Sequence, residues 1–248
     1  PLRRQRQMCI RDSLMLLIAA SIFVFFLLNL LLGSVSIPIG SVWNILWGGT
    51  DESVIWQNII WKSRVPQALT ALVAVAVLSI SGLQMQTVFR NPLAGPSVLG
   101  ISSGASLGVA FVVLLSGAFG GVALSKLGYM GEVALSLAAV IGALSVMALI
   151  VYVSQKVKGN VTLLIIGVMI GYVASAVIGV LKYFSVEEDI RAYVIWGLGS
   201  FARVSGDQMT LFVCIMVVLI PLSFLLIKTM NLMLLGDGYA RNLSLIHI

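Results

Sequence analysis

RVPQALTALVAVAVLSISGLQMQTVFRNPLAGPSVLGISSGASLG, residues 64–108, sets two apolar runs on either side of one short loop, RNPLAGPSVLG at 90–100. Within that loop Asn91-Pro92 and Gly95-Pro96 sit four residues apart. Each proline fixes its own φ, removes an N–H donor and pushes the residue before it out of the helical region. The first helix is therefore predicted to stop near Arg90. Asn91 is expected to bond the backbone locally, Gly95 to supply a positive φ, and Ser97 to cap the next helix. From the loop alone, a plain helical hairpin with strict stops stays open as a reading.

Composition decides the solvent. Apolar residues make up 60% of the chain and charged residues 10%, against about a quarter charged in soluble domains, and the mean hydropathy is +1.09. The chain reads as an all-α integral membrane protein, a polytopic helical bundle. Six runs of roughly 20 apolar residues, at about 14–32, 66–85, 98–116, 133–153, 161–181 and 209–228, suit membrane-spanning helices. The short alternating segments of a β-barrel are absent.

Both ends read as foreign. RRQRQMCIRDS, Arg3 to Ser13, has the translation of a sequencing-library transposon adaptor, and LSLIHI, Leu243 to Ile248, that of its reverse complement. Residues 1–13 and 243–248 are accordingly left out of fold reasoning, and 14–242 is taken as the membrane domain. Removing Arg3, Arg4, Arg6, Arg11 and Asp12 takes Lys+Arg from 15 to 11 and Asp+Glu from 9 to 8, so the net charge of +6 becomes +3. His247 and Cys9 go too. The remaining Cys214 sits in an apolar run, where a small buried hydrophobe is the default, and disulfide and zinc hypotheses lapse.

Between the spans, GSVSIPIGSVWNILWGG at 33–49 carries two tryptophans and reads as an interfacial loop, with a short amphipathic helix from Ser41 to Trp47 capped by Ser41. Gly100, Gly104 and Gly108 fall on one face of the third span and suit close helix approach. Gly117/Gly121 and Gly167/Gly171 repeat the spacing, which 24 glycines also produce by chance. Residues 184–208 are too polar to span; Trp196 there suits either an interfacial anchor or a buried packing corner. Counting Lys and Arg gives five on one face and six on the other, which leaves orientation undecided.

The chemistry excludes several classes. No Asp or Glu falls near the middle of a span, so the relays of proton-coupled transporters are missing. No G-x-x-x-x-G-K-[ST] loop is present to cradle nucleotide, and no nucleophile has a His or mid-membrane Asp partner. The chain is read as a non-enzyme without cofactor or metal, and without the basic, aromatic-lined surface that nucleic acid requires.

Six pieces then occur in one order: Arg64-Val65-Pro66-Gln67; Ser81-Gly82 with Gln86; Asn91-Pro92-Leu93-Ala94-Gly95-Pro96; Leu99-Gly100 through Gly104-Ala105; Trp196-Gly197-Leu198-Gly199-Ser200; and Met230-Asn231-Leu232-Met233-Leu234-Leu235-Gly236-Asp237-Gly238-Tyr239-Ala240-Arg241. This order resembles the permease subunits of bacterial ABC importers for iron–siderophores, haem and cobalamin, the FecCD/BtuC-like type, over about residues 14–242. The resemblance implies a multi-pass protein of the bacterial cytoplasmic (inner) membrane. A second permease copy would complete the pore, an extracytoplasmic binding protein would feed it, and a separate ATP-binding cassette ATPase subunit would drive it. It also implies a cytoplasmic amino terminus, an extracytoplasmic Arg64 and a cytoplasmic NPLAGP turn.

Roles follow from position within that resemblance. Arg64 matches the first arginine of R-x-P-R, which docks acidic residues of the binding protein through an outward guanidinium. An interfacial snorkelling residue is the alternative. Gln67 replaces the second arginine, with Lys62 as the compensating cation. Residues 230–242 match the coupling helices: Asn231, Leu232, Leu235, Gly236, Asp237, Tyr239, Ala240 and Arg241 would meet the ATPase, with Leu232, Leu235 and Tyr239 facing it and Gly236 allowing a bend. Asn160, Val161 and Thr162 match the cytoplasmic gate loop, although Thr162 equally suits an N-cap of the fifth span. The family continues beyond the coupling motif, so the chain is expected to be a fragment. An iron chelate is the expected cargo. A self-contained secondary transporter and a non-transporting membrane subunit are the competing readings.

Overall fold

The structure, a computed structural model, describes residues 2–49, 52–118, 129–157, 159–204 and 206–234. Most of the described residues are helical, with no strand among them. Ten α-helices follow in order: α1 (Leu2–Leu31), α2 (Ile39–Leu46), α3 (Val54–Ile59), α4 (Val65–Phe89), α5 (Ile101–Ala118), α6 (Tyr129–Ser154), α7 (Asn160–Phe184), α8 (Glu187–Gly197), α9 (Gly206–Phe224) and α10 (Ile227–Leu234). Among the described residues, five stretches are long and apolar enough to cross a bilayer: Arg11–Leu31, Val54–Phe89, Met130–Ser154, Val161–Phe184 and Gly206–Phe224. The expected third span is shorter among the described residues, an apolar helix at Ile101–Leu115. α1 runs without a break through residue 13, and 243–248 lie outside the described residues.

Two span boundaries differ from expectation for identifiable reasons. Pro66 is the expected start of the second span, yet the helix runs on from Val54, through a turn of π-helix at Ile60–Arg64. A proline ring clashes with the carbonyl four residues back, and a wider turn at that point accommodates Pro66 without ending the helix. The expected last span reaches 228, but α9 ends at Phe224. Pro221 lies in its final turn, and Ile227 and Lys228 belong to α10. α2 also starts earlier than Ser41: its N-cap is Pro38, with no side-chain cap. Cys214 is exposed on α9 rather than buried.

The chain divides into two compact units. The first comprises 1–77 and 201–222. There Ile37, Val42, Ile45 and Ile60 form a small core in which α2 and the π turn meet the end of α1. Trp43 and Trp47 remain exposed with ring centroids 6.0 Å apart, suited to the headgroup zone.

The second unit comprises 78–200 and 223–248, built on α5 packed against α6, α7 and α8. Val109, Ala110, Val113, Leu114, Ile178 and Tyr193 form one cluster. Ala94, Leu99, Val146, Ile150 and Leu164 form another, which seats the NPLAGP turn against α6 and α7. Trp196 packs beside the first cluster, 6.4 Å from the Tyr193 ring, which makes it a packing corner rather than an interfacial anchor.

Candidate functional site

Lipid tails are as apolar as leucine, so helix association in a bilayer rests on close van der Waals contact and on polar groups that find partners. The α5–α6 crossing shows the first of these. A Cβ on Gly108 would enter the van der Waals shell of the Ala138 carbonyl, and one on Gly142 that of the Gly104 carbonyl. A Cβ on Gly104 would meet both Val146 and the Gly142 carbonyl. Gly100 stands at φ 72°, where a Cβ would lie 2.7 Å from the Gly167 carbonyl oxygen. Gly167 in turn packs on the backbone of Leu99, and Gly171 on Ser103. The Gly167/Gly171 pair is thus a true packing contact, Gly167 against the turn before α5 and Gly171 against the start of α5. Gly142 has no glycine at helical spacing; a small neighbour is Ala138, four residues before it.

The end of α4 is a Schellman turn. The Asn91 N–H donates to Gln86 O at 3.1 Å and the Arg90 N–H to Thr87 O at 3.3 Å, closing the helix around Arg90 in the left-handed region at φ 48°. The positive φ expected of Gly95 therefore falls on Arg90 and Gly100. A left-handed L-residue costs about 1–2 kcal/mol, so a glycine would sit at this position with less strain. The Arg90 side chain reaches α10, where its Nη2 donates to Met233 O at 2.9 Å. Asn91 does bond locally, its Oδ1 accepting from the Leu93 N–H at 2.9 Å. Ser97 caps nothing by its side chain; its carbonyl accepts from Gly100 N–H, and α5 begins only at Ile101.

Arg64 is the largest departure from expectation. Only 5% of its surface is exposed. The π turn rotates it inward, where Nη1 donates to Leu30 O at 2.8 Å and Leu31 O at 3.0 Å, and Nη2 donates to Val35 O. Leu30 and Leu31 lie in the last turn of α1, whose carbonyls have no intrahelical partners, and a cation there also suits the helix dipole. Gly33 leaves room for the guanidinium: a Cβ there would lie 2.8 Å from Nη2. Arg64 neither faces outward nor snorkels. Lys62 is exposed and Gln67 half-buried on the same stretch.

Of the coupling residues, Asn231 is exposed and Leu232 half-buried on α10. Leu235, Gly236, Asp237, Tyr239, Ala240 and Arg241 lie outside the described residues. Met230, Asn231 and Leu234 line a groove of about 300 Å³ with Leu83, Gln84 and Thr87 of α4. In the gate segment, Asn160 opens α7 and Thr162 is exposed two residues on. The N-cap is Gly159 at φ 115°, with no side-chain bond, so Thr162 is not the cap.

Asp189, in the first turn of α8, was overlooked because an EED run usually marks a solvated helix start. Its side chain is buried, Oδ2 has no hydrogen-bond partner, and burial first, then the neighbouring Glu188, raise its pKa. Tyr193, one helical turn on, is raised by burial and lowered in part by a hydrogen bond with Ser106. The Lys182 ammonium stands 4.8 Å from its ring centroid.

Comparison with known proteins places this geometry. A solved structure, an inward-facing conformation of a metal-chelate type ABC transporter, superposes with a TM-score of 0.74 at 24% identity, covering 94% of this chain and 68% of that one, which shows the fold. The vitamin B12 import system permease protein BtuC of Serratia proteamaculans is 33% identical over 98% of this chain and 67% of its own length. The BtuC of Photorhabdus laumondii is 34% identical over 88% of this chain and 62% of its own. The chain therefore spans about two thirds of the curated relatives it matches. With the profile of the FecCD transport family matching residues 21–245, the chain belongs to that family of ABC-importer permeases, proteins of the bacterial inner membrane.

Proposed function

We propose that this chain forms part of the pore wall of an ABC importer, passing a metal chelate from a binding protein to the cytoplasm. The carrying observation is the family match across 21–245, laid over spans whose Asp and Glu residues all stand near their ends. Without a charge relay inside the membrane the energy comes from a partner, a separate ATPase subunit. A second permease copy supplies the opposite pore wall, and the glycine-lined α5–α6 face keeps this half narrow. An iron–siderophore is the proposed cargo. The likeness to vitamin B12 permeases keeps cobalamin as a second reading, since selection of the chelate rests with the binding protein.

Lys62 and Gln67 present the docking face for the binding protein, and Arg64 holds that face to the end of α1. Asn231 and Leu232 of α10 begin the ATPase-facing segment that continues through Leu235, Gly236, Asp237, Tyr239, Ala240 and Arg241. Asn160 and Thr162 stand at the cytoplasmic gate. The test is uptake into proteoliposomes by the full-length protein with its ATPase subunit and binding protein, offered ferric siderophore or cobalamin. ATP-dependent uptake of one chelate is expected. Uptake driven by a proton gradient without ATP would instead establish a self-contained secondary transporter.

A further inference from the structure

The turn and α10 are joined by a contact that neither motif discloses. Arg90 is the only non-glycine residue with positive φ among those described, in a C′ position that glycine fills with least strain. The arginine side chain spans 143 residues of sequence to bond Met233 O in the last described turn of α10. Beside it, Leu83, Gln84 and Thr87 of α4 line one groove with Met230, Asn231 and Leu234. The same turn is anchored on its other side, since Ala94 and Leu99 are buried against Val146, Ile150 and Leu164 of α6 and α7.

We propose that Arg90 is a positioning residue that ties α10 to the NPLAGP turn, so that the end of α4, the turn and α10 move as one piece when the ATPase subunit acts on the α10 segment. This rests on the importer reading above. A displacement of α10 then reaches α4 directly and α5, α6 and α7 through the turn. Strain held at one backbone position is typical of sites where the side chain has a task the backbone would not choose.

Arg90→Gly separates the two roles, because it relaxes the backbone while deleting the guanidinium. Cross-linking across the α4–α10 groove is read in a cysteine-free version of the full-length protein carrying Thr87→Cys and Asn231→Cys, whereas hydrolysis, uptake and stability are read in the protein without that cysteine pair. It is reconstituted with its ATPase subunit and binding protein. Arg90→Gly is expected to keep or raise thermal stability and retain the ATPase subunit. It should also lower cross-linking and reduce binding-protein-stimulated hydrolysis and uptake by at least about fivefold, the lower end of typical coupling between sites. Arg90→Lys, with charge but no planar fork, should recover part of the loss. Unchanged cross-linking, or normal coupling with the ATPase bound, overturns the proposal. If the parent binds no ATPase subunit the importer reading fails, while the cross-link still decides whether Arg90 holds α10.

Discussion

Replacing Arg64 with alanine separates the buried clamp from the outward docking residue that the family pattern suggests. The substitution removes three guanidinium bonds, to Leu30 O, Leu31 O and Val35 O, from a side chain that is 5% exposed. Hydrogen bonds from charged donors contribute about 1.5–3 kcal/mol each. One side chain makes all three, and carbonyls at a helix end regain some water, so the total falls near about 3–5 kcal/mol. For a chain of this length that corresponds to a Tm lowered by roughly 10 °C, read by thermal unfolding of the full-length protein in detergent. Arg64→Lys should fall between, keeping the charge but losing the fork that reaches several carbonyls together. Gly33→Ala presses on the same guanidinium, so the double variant should be less damaging than the two single effects added. Should Arg64→Ala melt within about 2 °C of the parent yet lose binding-protein association, the clamp is refuted and the docking role restored.

Other outcomes follow from the same geometry. Gly108→Ala or Gly142→Ala drives a methyl into a carbonyl across the α5–α6 crossing and should sharply lower Tm and folded yield, whereas Gly82→Ala, with open space around it, should be neutral or stabilising. Lys62→Glu should weaken binding-protein association and flatten its salt dependence while leaving Tm unchanged. Asp189 has a raised carboxyl pKa, so its folded form favours the proton. Stability is fully present below its unfolded value and is lost as pH rises through the folded one. Asp189→Asn should therefore raise Tm near pH 7 and remove that decline from the unfolding profile measured between pH 4 and 8.

Much of the architecture was legible because the bilayer imposes it. Apolar runs of sufficient length declare helices wherever the backbone must satisfy itself, and the expected runs at 14–32, 133–153 and 161–181 fall on helices long and apolar enough to cross a bilayer. The proline stops were legible too, since φ restriction is local: α4 ends at Phe89 and the Asx bond of Asn91 forms as expected. Pro66 was misread because the same local rule admits two solutions, a helix start or a π turn that lets the helix continue. Which one occurs depends on the neighbour that the π turn brings into reach.

By itself, then, the sequence determined the solvent, the helical class, the turn and, through motif order, the family, because hydropathy and backbone restriction act over a few residues at a time. Tertiary structure alone decided that Arg64 faces inward, that Arg90 reaches Met233, that Gly142 completes the crossing with Gly104 and Gly108, and that Asp189 is buried. Each of those depends on which groups of distant segments lie within hydrogen-bond or van der Waals reach, a distance of a few ångströms that sequence spacing does not encode.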